Sequence, residues 1–356
     1  MNISSEIQAS VINAVENKTP LRIQGSNSKS FYGYNIDAEE LNISAHTGVT
    51  SYEPTELVIS AHAGTSLKEI ETTLAEQNQM LAFEPPAFGD GATLGGTIAC
   101  NFAGPRRAYR GAARDYVLGA KVLNGKGEIL SFGGEVMKNV AGYDVSRLMA
   151  GAMGTLGIIL DVSLKIMPKP EAELTLALSF DTQEALQKIH QWSRLPLPIS
   201  ASCIHNQQLF IRLSGTESGI QAAKKQIGGD ELQDADRFWY AMKEQQQDFF
   251  REENDTKSLW RLSLASNAPI LPLEGDTLYE WGGALRWLKS NETAETIRDA
   301  VTAFQGHAIK FRNGSDSQVE EIFQPLSPGV LKLHQNLKFA FDPNGILNPG
   351  RMYKAF

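Results

Sequence analysis

The sequence predicts an α+β protein of about two domains, and three observations favour this class. The chain has 356 residues, which suggests about two domains at roughly 150 residues each. Hydrophobic residues make up 42% of it and charged residues 21%, the composition of a globular protein with a large core. Segments with helical spacing follow segments in which every second residue is apolar, so helices and strands are both expected.

The first region of the chain, 1–170, begins with helix and strand signals in turn. A helix is predicted after a capping-box pattern at residues 5–8, and a strand over 21–24 follows it. A second strand over 57–60 leads to a helix with another capping pattern at residues 66–69. The region therefore starts with an α/β arrangement.

A hairpin and a long strand complete this region. The run Asn124-Gly125-Lys126-Gly127 is a turn signal between two apolar stretches, and it predicts a hairpin over 117–130. Apolar residues then alternate over 156–166 until Pro168 and Pro170 end the pattern. We place the first domain boundary at this point.

The resulting domain prediction has three parts. Residues 1–170 form the first domain. Residues 171–330 form a small α+β domain, because strand and helix patterns alternate there. Residues 331–356 form a helix followed by a tail rich in proline and glycine.

Charge and cysteine content exclude several classes of protein. The formal net charge is -8, which opposes general nucleic-acid binding. The acidic stretch 230–255 is predicted to be a solvated helical segment. Cys100 and Cys203 stand far apart, which argues against structural zinc and against a cysteine-held iron–sulfur cluster in this chain. The N-terminus lacks the features of a signal peptide and no apolar run approaches the ~20 residues of a membrane span, so a cytoplasmic location is expected.

Glycine and positive charge are concentrated in one stretch, 89–157. It holds 15 of the 31 glycines, and its eight basic and five acidic residues give it a net charge of +3. Because the whole chain has a net charge of -8, the residues outside this stretch carry a net charge of -11. A glycine-rich, locally positive stretch in an acidic protein indicates an anionic ligand held by backbone groups.

Three glycine-rich segments are candidates for this site, and each has a structural alternative. Residues 25–28 follow a strand and form either a phosphate-binding nest or a plain turn. Residues 92–101 allow close backbone approach but match neither a P-loop nor a dinucleotide fingerprint. Residues 151–158 form either part of the site or a tight turn before a strand. Arginines over 106–114 are either surface charge or phosphate ligands.

Together and in this order, these segments resemble the FAD-binding domain of the vanillyl-alcohol oxidase/PCMH flavoprotein family. The resemblance covers about 19–170 and the ending Ile346-Leu347-Asn348-Pro349-Gly350-Arg351. More specific runs are Phe83-Glu84-Pro85-Pro86, Gly104-Pro105-Arg106-Arg107, Val136-Met137-Lys138-Asn139-Val140-Ala141-Gly142-Tyr143-Asp144 and Trp281-Gly282-Gly283-Ala284-Leu285-Arg286-Trp287-Leu288. The resemblance implies a PCMH-type FAD-binding domain of two subdomains, about 1–52 and 53–170, a small α+β cap domain, and a C-terminal tail that returns to the FAD domain.

The resemblance also implies which residues bind FAD. Residues 25–28 would meet the pyrophosphate, residues between 93 and 101 a second wall, 154–158 the adenosine side, and the tail the flavin. The implied set is Gly25, Ser26, Asn27, Ser28, Thr93, Gly95, Gly96, Ala99, Asn101, Arg114, Asp115, Gly154, Gly157, Ile158, Asn348 and Arg351. Some members attach FAD through a histidine or cysteine in the first loop; residues 24–30 contain neither, so non-covalent FAD is expected.

The activity implied by the resemblance is oxidation of glycolate, or another small 2-hydroxy acid, to the 2-oxo acid by a subunit of a complex. The expected partners are a catalytic FAD subunit and an iron–sulfur subunit, with at most peripheral contact with the inner face of the cytoplasmic membrane through the complex. The related dehydrogenases carry a histidine-rich metal signature that residues 306–312 lack, so no metal and no catalytic base is assigned. Arg286 is a candidate for holding a carboxylate, with core packing beside Trp281 and Trp287 as the alternative. A purely structural subunit and a self-sufficient FAD oxidoreductase remain the alternative functions.

Overall fold

The computed structural model describes residues 1–134, 144–251, 256–314 and 321–356. These residues divide into two compact units. Unit 1 comprises Met1–Ala103, Ala112–Lys169 and Leu326–Phe356, and unit 2 comprises Gly104–Gly111 and Pro170–Pro325. Among the described residues, no helix combines the length and the apolar character needed to span a bilayer. The predicted α+β fold is confirmed, since both units contain helices and sheets.

Unit 1 consists of three small sheets and the helices around them, numbered here along the whole chain. Its strands are β1 (Leu21–Gln24), β2 (Glu39–Asn42), β3 (Val49–Glu53), β4 (Val58–His62), β5 (Gln79–Met80), β6 (Val117–Leu123), β7 (Ile129–Gly133), β8 (Ile158–Lys165) and β9 (Met167–Pro168). Its helices are α1 (Ser4–Asn17), α2 (Leu67–Ala75), α3 (Leu94–Cys100), α5 (Ala113–Tyr116), α6 (Val145–Met149) and α11 (Pro328–Phe341).

The main sheet of unit 1 is antiparallel and has the strand order β3-β4-β8-β6-β7. Strands β1 and β2 pair in parallel, and β5 pairs with β9. Helices α1, α2 and α3 bury apolar side chains in one continuous core with the strands, among them Val11, Ile70 and Ile98. Because helices cover the strands, this core fixes the strand ends from which the candidate site is built.

Two of the predicted local signals have the expected geometry. Oγ of Ser66 accepts a hydrogen bond from the amide of Glu69 at 3.1 Å and caps α2. Oδ1 of Asn124 accepts from the amides of Lys126 and Glu128 at 2.9 and 3.0 Å, which closes the turn between β6 and β7. Both the capped helix and the hairpin are confirmed.

The predicted capping box at the N-terminus is wrong. Helix α1 begins at Ser4, so Ser5 and Gln8 lie inside it, and Ile3 occupies the N-cap position without a side-chain cap. The amide of Ile3 instead donates to Nδ1 of His46 at 3.2 Å. The capping partner is therefore a distant histidine, which a local sequence pattern cannot reveal.

The C-terminal tail adds to the small parallel sheet of unit 1. The amide of Leu21 donates to the carbonyl of Ile346 at 2.7 Å, and the amide of Asn348 donates to the carbonyl of Leu21 at 3.0 Å. Leu347 forms a parallel bridge with Leu21 and is fully buried. The last residues of the chain are thus built into the edge of the sheet from which β1 leads into the first glycine loop.

In its described residues, unit 2 contains one eight-stranded antiparallel sheet and the helices that pack with it. The strand order is β13-β10-β12-β11-β15-β16-β14-β17. The strands are β10 (Ala172–Ser179), β11 (Ile199–His205), β12 (Gln208–Gly215), β13 (Asp230–Glu231), β14 (Ser258–Ser263), β15 (Asp276–Glu280), β16 (Leu285–Ser290) and β17 (His307–Arg312). The helices that pack with them are α7 (Thr182–Trp192), α8 (Glu217–Ile227), α9 (Ala235–Lys243) and α10 (Ala294–Thr302), with a short α4 (Arg107–Arg110) and 3-10 turns at Asp248–Phe250 and Trp281–Gly283.

The acidic stretch of unit 2 differs from its prediction. Only α9 is α-helical in the described part of 230–255. Trp239 and Met242 of this helix are buried, and the indole Nε1 of Trp239 donates to Oγ1 of Thr175 at 2.8 Å. The segment is therefore anchored to the sheet by buried apolar side chains, and the acidic Glu244 directly after α9 is also buried and pairs with Lys243 at 3.4 Å.

Candidate functional site

Unit 1 contains a cleft built by four separate segments of the chain. They are the loop after β1, the region around the start of α3, the turn that leads into β8, and the C-terminal tail. Together they surround about 740 Å³ of space, which includes solvent at the open side of the cleft. Most of the predicted site residues line it: Gly25, Ser26, Asn27, Ser28, Thr93, Gly95, Gly96, Ala99, Gly154, Gly157, Ile158, Asn348 and Arg351.

The loop after β1 offers backbone donors to the cleft. Within the described ranges, the amides of Ser26, Asn27 and Ser28 donate no hydrogen bond to any protein acceptor. Asn27 has a φ of 63°, the left-handed conformation that alternates with ordinary backbone in anion-binding nests. Successive free N–H groups are suited to phosphate oxygens, so this loop has the donors that a diphosphate requires.

Two glycines of the cleft are required by close packing. An ideal Cβ at Gly25 would lie 2.6 Å from Oγ1 of Thr93, and one at Gly154 would lie 2.7 Å from Nδ2 of Asn348. Gly154 also has a φ of 73°, which disfavours any other residue. Both positions join segments that are far apart in the sequence, so a side chain at either would force the cleft walls apart.

The tail bridges the two sides of the cleft. Oδ1 of Asn348 accepts from the amide of Ile23 at 2.7 Å, and its Nδ2 donates to the carbonyl of Met153, also at 2.7 Å. Arg351 donates from Nη1 to the carbonyl of Tyr34 at 2.6 Å and from Nη2 to that of Ser30 at 3.0 Å. Asn348 therefore connects the β1 side to the turn before β8, and Arg351 holds the segment that follows the first loop.

A buried ion pair fixes the tail from behind. Nζ of Lys338 in α11 donates to Oδ2 of Asp342 at 2.7 Å, to the carbonyl of Leu347 at 2.6 Å and to that of Thr155 at 2.8 Å. Asp342 also accepts from the amides of Ile346 and Leu347. Burial lowers the pKa of Lys338, and the carboxylate of Asp342 opposes this effect. This cluster ties α11, the tail and the turn before β8 into one body.

Several residues that line the cleft were not predicted. They are Ile23, Gln24, Lys29, Ser30, Ile43, Cys100, Met153 and Ile159. Lys29 is buried, and its Nζ lies 3.2 Å from the carbonyl of Ala87. Burial raises the pKa of the Cys100 thiol, while the charges of Lys29 and Arg351 act in the opposite direction, so both cations lie near it. Lys29 directly follows the predicted nest in the sequence, and this position could have identified it as a residue of the cleft.

Three predicted site residues do not line the cleft. Oδ1 of Asn101, at the end of α3, accepts from the amide of Arg114 at 3.0 Å. The side chains of Arg114 and Asp115 are largely exposed, and Asp115 accepts from the amide of Ala112 at 2.8 Å. These residues connect α3 to α5 rather than facing the cleft.

The neighbouring arginines belong to unit 2. Arg106 is buried, pairs with Glu173, and donates to Oγ of Ser214 at 3.0 Å. The guanidinium of Arg107 lies 4.4 Å from the ring centre of Trp281. These contacts explain the arginines as internal ties of unit 2, and no phosphate ligand is needed to account for them.

The carboxylate-binding alternative for Arg286 is not supported. Its guanidinium is fully buried and donates to three backbone carbonyls, those of Gly283, Ala268 and Pro269, at 3.1, 2.6 and 2.6 Å. Trp281 and Trp287 are buried beside this segment. The segment is therefore used in core packing. Residues 136–143 of another family-specific run lie outside the described residues.

One group of side chains in unit 1 has the composition of a metal site, but its hydrogen bonds argue against that use. Nε2 of His46 and Nδ1 of His62 lie 3.3 and 2.5 Å from Oδ1 of Asp161. Because the amide of Ile3 donates to Nδ1 of His46, the proton of a neutral ring is on Nε2, which then donates to Asp161. Burial and the adjacent His62 lower the pKa of His46, which keeps it neutral. Such a ring has no lone pair directed at a metal.

The fold and the cleft define an FAD-linked oxidase domain. The sequence matches the family described as "FAD binding domain" over residues 4–133 and the family described as "FAD linked oxidases, C-terminal domain" over residues 318–352. A solved structure of p-cresol methylhydroxylase with bound substrate superposes with a TM-score of 0.73 at 13% identity, covering 99% of this chain and 87% of that one. An alkyldihydroxyacetonephosphate synthase structure gives a TM-score of 0.68 at 15% identity, covering 97% of this chain and 74% of that one.

Sequence relatives narrow the family further. The chain is 46% identical over 350 residues to "Glycolate oxidase subunit GlcE" of Escherichia coli (strain K12), covering 98% of this chain and 97% of that protein. It is 26% identical over 327 residues to "Glycolate oxidase subunit GlcD" of Bacillus subtilis (strain 168), covering 74% and 68% respectively. The chain belongs to the glycolate oxidase subunit GlcE family, within the PCMH-type FAD-binding proteins. The predictions of the family, of an FAD-binding domain and of an FAD-dependent oxidoreductase are confirmed by these matches.

Proposed function

We propose that this chain is the FAD-binding subunit of a glycolate oxidase complex that converts glycolate, or a closely related 2-hydroxy acid, to the 2-oxo acid. The observation that carries the proposal is the cleft of unit 1, with its free loop amides, the buried Lys29 and the half-buried Arg351. The relative that is 46% identical over 98% of this chain is named a glycolate oxidase subunit, and D-lactate dehydrogenases are among the other relatives. The proposed activity therefore rests on a cleft that is suited to a dinucleotide and on the 2-hydroxy acids that the names of the relatives give as substrates.

Several features of the cleft itself are suited to a bound FAD. Oε1 of Gln24 is buried and has no hydrogen-bond partner in the described part of the chain. The amides of 26–28 are equally without acceptors there. A diphosphate accepts from N–H groups, and its two negative charges are balanced by nearby cations such as Lys29 and Arg351. The donors and the positive charges of the cleft thus match a bound dinucleotide.

When bound, FAD supplies a two-electron acceptor for oxidation of a CH–OH group. The chain's own residues hold and orient it. The loop 25–28 binds the diphosphate, Thr93, Gly95 and Gly96 form the opposite wall, and Asn348 fixes the distance between loop and wall. Burial keeps the thiol of Cys100 protonated, so this side chain is a neutral surface of the cleft. Residues 24–30 contain no group for covalent attachment, which favours non-covalent FAD.

The electrons must leave through another chain in this proposal. The sequence has two cysteines, Cys100 and Cys203, and they lie in different units. An iron–sulfur cluster needs several thiolate ligands in one place. An iron–sulfur partner subunit, together with a second FAD subunit, is therefore proposed to complete the path.

Anaerobic titration with glycolate tests the proposal. The purified chain should contain FAD that acid or heat releases, and its absorbance should bleach with glycolate when the other subunits of the oxidase are present. Bleaching in the isolated chain would instead establish a self-sufficient oxidoreductase. Flavin that is never reduced, with a complex that is active without it, would establish a structural subunit. A colourless chain that cannot be loaded with FAD refutes both catalytic alternatives.

A further inference from the structure

Lys29 stands at the end of the first loop of the cleft and is almost completely buried. It directly follows the nest residues 26–28 and lines the cleft together with them. Only 7% of its surface is exposed, although lysine is among the residue types that are most rarely buried. Burial of an ammonium group costs free energy unless hydrogen bonds and opposite charge compensate for it. A buried lysine at this position therefore indicates a role in the cleft.

The loop that carries Lys29 runs alongside a second segment, residues 87–93. An ideal Cβ at Gly91 would lie 3.2 Å from Cβ of Ser26, and Nζ of Lys29 lies 3.2 Å from the carbonyl oxygen of Ala87. Residue numbers therefore fall along the second segment as they rise along the first, so the two segments are antiparallel. The second segment supports the loop along its length and holds Lys29 at the far end.

The ammonium group of Lys29 is held between the nest and an aromatic ring. Its Nζ lies 3.4 Å from Oγ of Ser28, which is a nest residue, and 5.9 Å from the ring centre of Phe88. Phe88 has a φ of 52°, which a bulky residue adopts only where the surrounding structure imposes it. Its ring packs edge-on against that of Phe31 at 5.4 Å. These contacts restrict the lysine side chain and fix its positive charge beside the nest.

The second cation that lines the cleft, Arg351, has a different use. Its Nη1 and Nη2 donate to the carbonyls of Tyr34 and Ser30 at 2.6 and 3.0 Å. Both bonds go to backbone groups, so the guanidinium ties the tail to the segment that follows the first loop. Lys29 is thus the cation that contacts a nest residue directly.

This arrangement favours a ligand with two adjacent phosphate groups. The consecutive amides of residues 26–28 suit the oxygens of one phosphate. A fixed ammonium group adds a charge-assisted hydrogen bond, which is roughly twice as strong as a bond between neutral groups. In a diphosphate, one phosphate can therefore accept from the amides while its neighbour accepts from the lysine. The carboxylate of a small 2-hydroxy acid offers only two oxygens and would satisfy fewer of these donors.

We propose that Lys29 is a cofactor-recognition residue that binds the diphosphate of FAD, and that residues 87–91 position it for this contact. This inference rests on the proposed function, since it takes FAD as the ligand. It deepens that function by assigning the recognition of the diphosphate charge to one side chain and by giving Arg351 a structural use. Neither Lys29 nor the segment 87–91 belongs to the set of site residues that the family resemblance implies.

Binding of FAD and of ADP to the flavin-free chain tests the inference, because ADP carries the diphosphate without the isoalloxazine ring. K29M removes the charge and nearly keeps the side-chain volume. The matched control is K332M, which removes an exposed lysine outside the cleft. K29M should lower the affinity for both ligands at least about tenfold and by a similar factor, because a charge-assisted hydrogen bond to their common diphosphate is lost. K332M should stay within about twofold of the original chain.

Two further measurements separate recognition of the ligand from a purely structural role of Lys29. The affinity of the original chain for FAD should fall as the salt concentration rises from about 50 mM to about 500 mM, and the affinity of K29M should fall less, because it lacks the charge that salt screens. The reduction potential of bound FAD should be the same in K29M and in the original chain, because the proposed contact is with the diphosphate and not with the isoalloxazine ring.

Several results overturn the inference, and they are separable from failure of the proposed function. Unchanged affinity of K29M for both ligands shows that Lys29 does not bind the diphosphate. A shifted reduction potential with unchanged ADP affinity places Lys29 at the isoalloxazine ring instead. Equal salt dependence in both chains, together with a lower melting temperature of flavin-free K29M, shows that Lys29 only holds the loop. A chain that binds FAD through Lys29 but is never reduced by glycolate, alone or with the other subunits, supports the inference and refutes the catalytic role, whereas a chain that binds neither ligand refutes both.

Discussion

Replacing Lys338 by methionine tests whether the buried cluster behind the cleft holds the site together. The side chains of Lys338 and Asp342 are only 7% and 0% exposed. Methionine fills nearly the same volume, so packing is largely kept. The variant removes the ammonium group and with it the three bonds to Asp342, Thr155 and Leu347.

The expected cost follows from what remains. The Asp342 carboxylate keeps its two amide donors but loses its counter-charge, and the carbonyls of Thr155 and Leu347 lose a donor. Removing one partner of a buried ion pair costs about 3–5 kcal/mol. Since the amides of Ile346 and Leu347 still donate to Asp342, we expect about 3 kcal/mol, the lower end of this range. The double variant K338M/D342N should lose less than K338M alone, because it leaves no isolated charge.

Two optical signals separate the units in a denaturant titration. All five tryptophans, at positions 192, 239, 260, 281 and 287, belong to unit 2, whereas flavin release reports on unit 1. K338M should lower the denaturant concentration at the midpoint of the flavin fluorescence change. The midpoint of the tryptophan fluorescence change, which reports on unit 2, should stay the same. The matched control K332M, on the exposed side of α11, should change stability by less than about 0.5 kcal/mol. If K338M is as stable as K332M in the flavin signal, the cluster does not hold the cleft together.

Three further predictions concern the cleft and its surroundings. Asn348→Ala leaves the Ile23 amide and the Met153 carbonyl unpaired and should weaken FAD binding at least about tenfold in fluorescence titration; unchanged affinity would contradict its bridging role. Gly25→Ala should also weaken FAD binding, because its methyl group would meet Thr93, whereas Gly329→Ala, with open space around it, should bind FAD normally. The pKa of His46 is lower in the folded chain than in the unfolded chain, so the unfolded chain binds one more proton as the pH falls below the ordinary histidine value of 6.5, and unit 1 should lose stability there. In His46→Gln, the denaturation midpoint measured by flavin fluorescence should therefore differ less between pH 5.5 and pH 7.5 than it does in the original chain.

Elements that depend on neighbouring residues could be read from the sequence. The Ser66 cap and the Asn124 turn are each specified within a few positions of the chain. The glycine segments could also be found, because a close approach of two backbones leaves a composition signal in the sequence. Their mutual position could not be derived from the residues themselves and came from the resemblance to a family.

Other features depend on long-range contacts and leave no local pattern. Lys338 has the sequence context of a surface lysine, and only the fold shows that it is surrounded by Asp342 and two carbonyls. The N-cap region of α1 uses His46, more than forty positions away. Arg114 and Asp115 were assigned to the cofactor by motif position, whereas their side chains are exposed on α5. Charge and spacing alone could not decide between these environments.

The geometry of the cleft depends as much on the end of the chain as on the glycine loops. The loop after β1 has free donors, but its distance from the turn before β8 is set by one side chain, Asn348, which binds both. Asn348 is in turn held by the bridge between Leu347 and Leu21 and by the cluster around Lys338. Each residue in this series of contacts is buried, so a structural change in α11 reaches the cleft through hydrogen bonds of normal length.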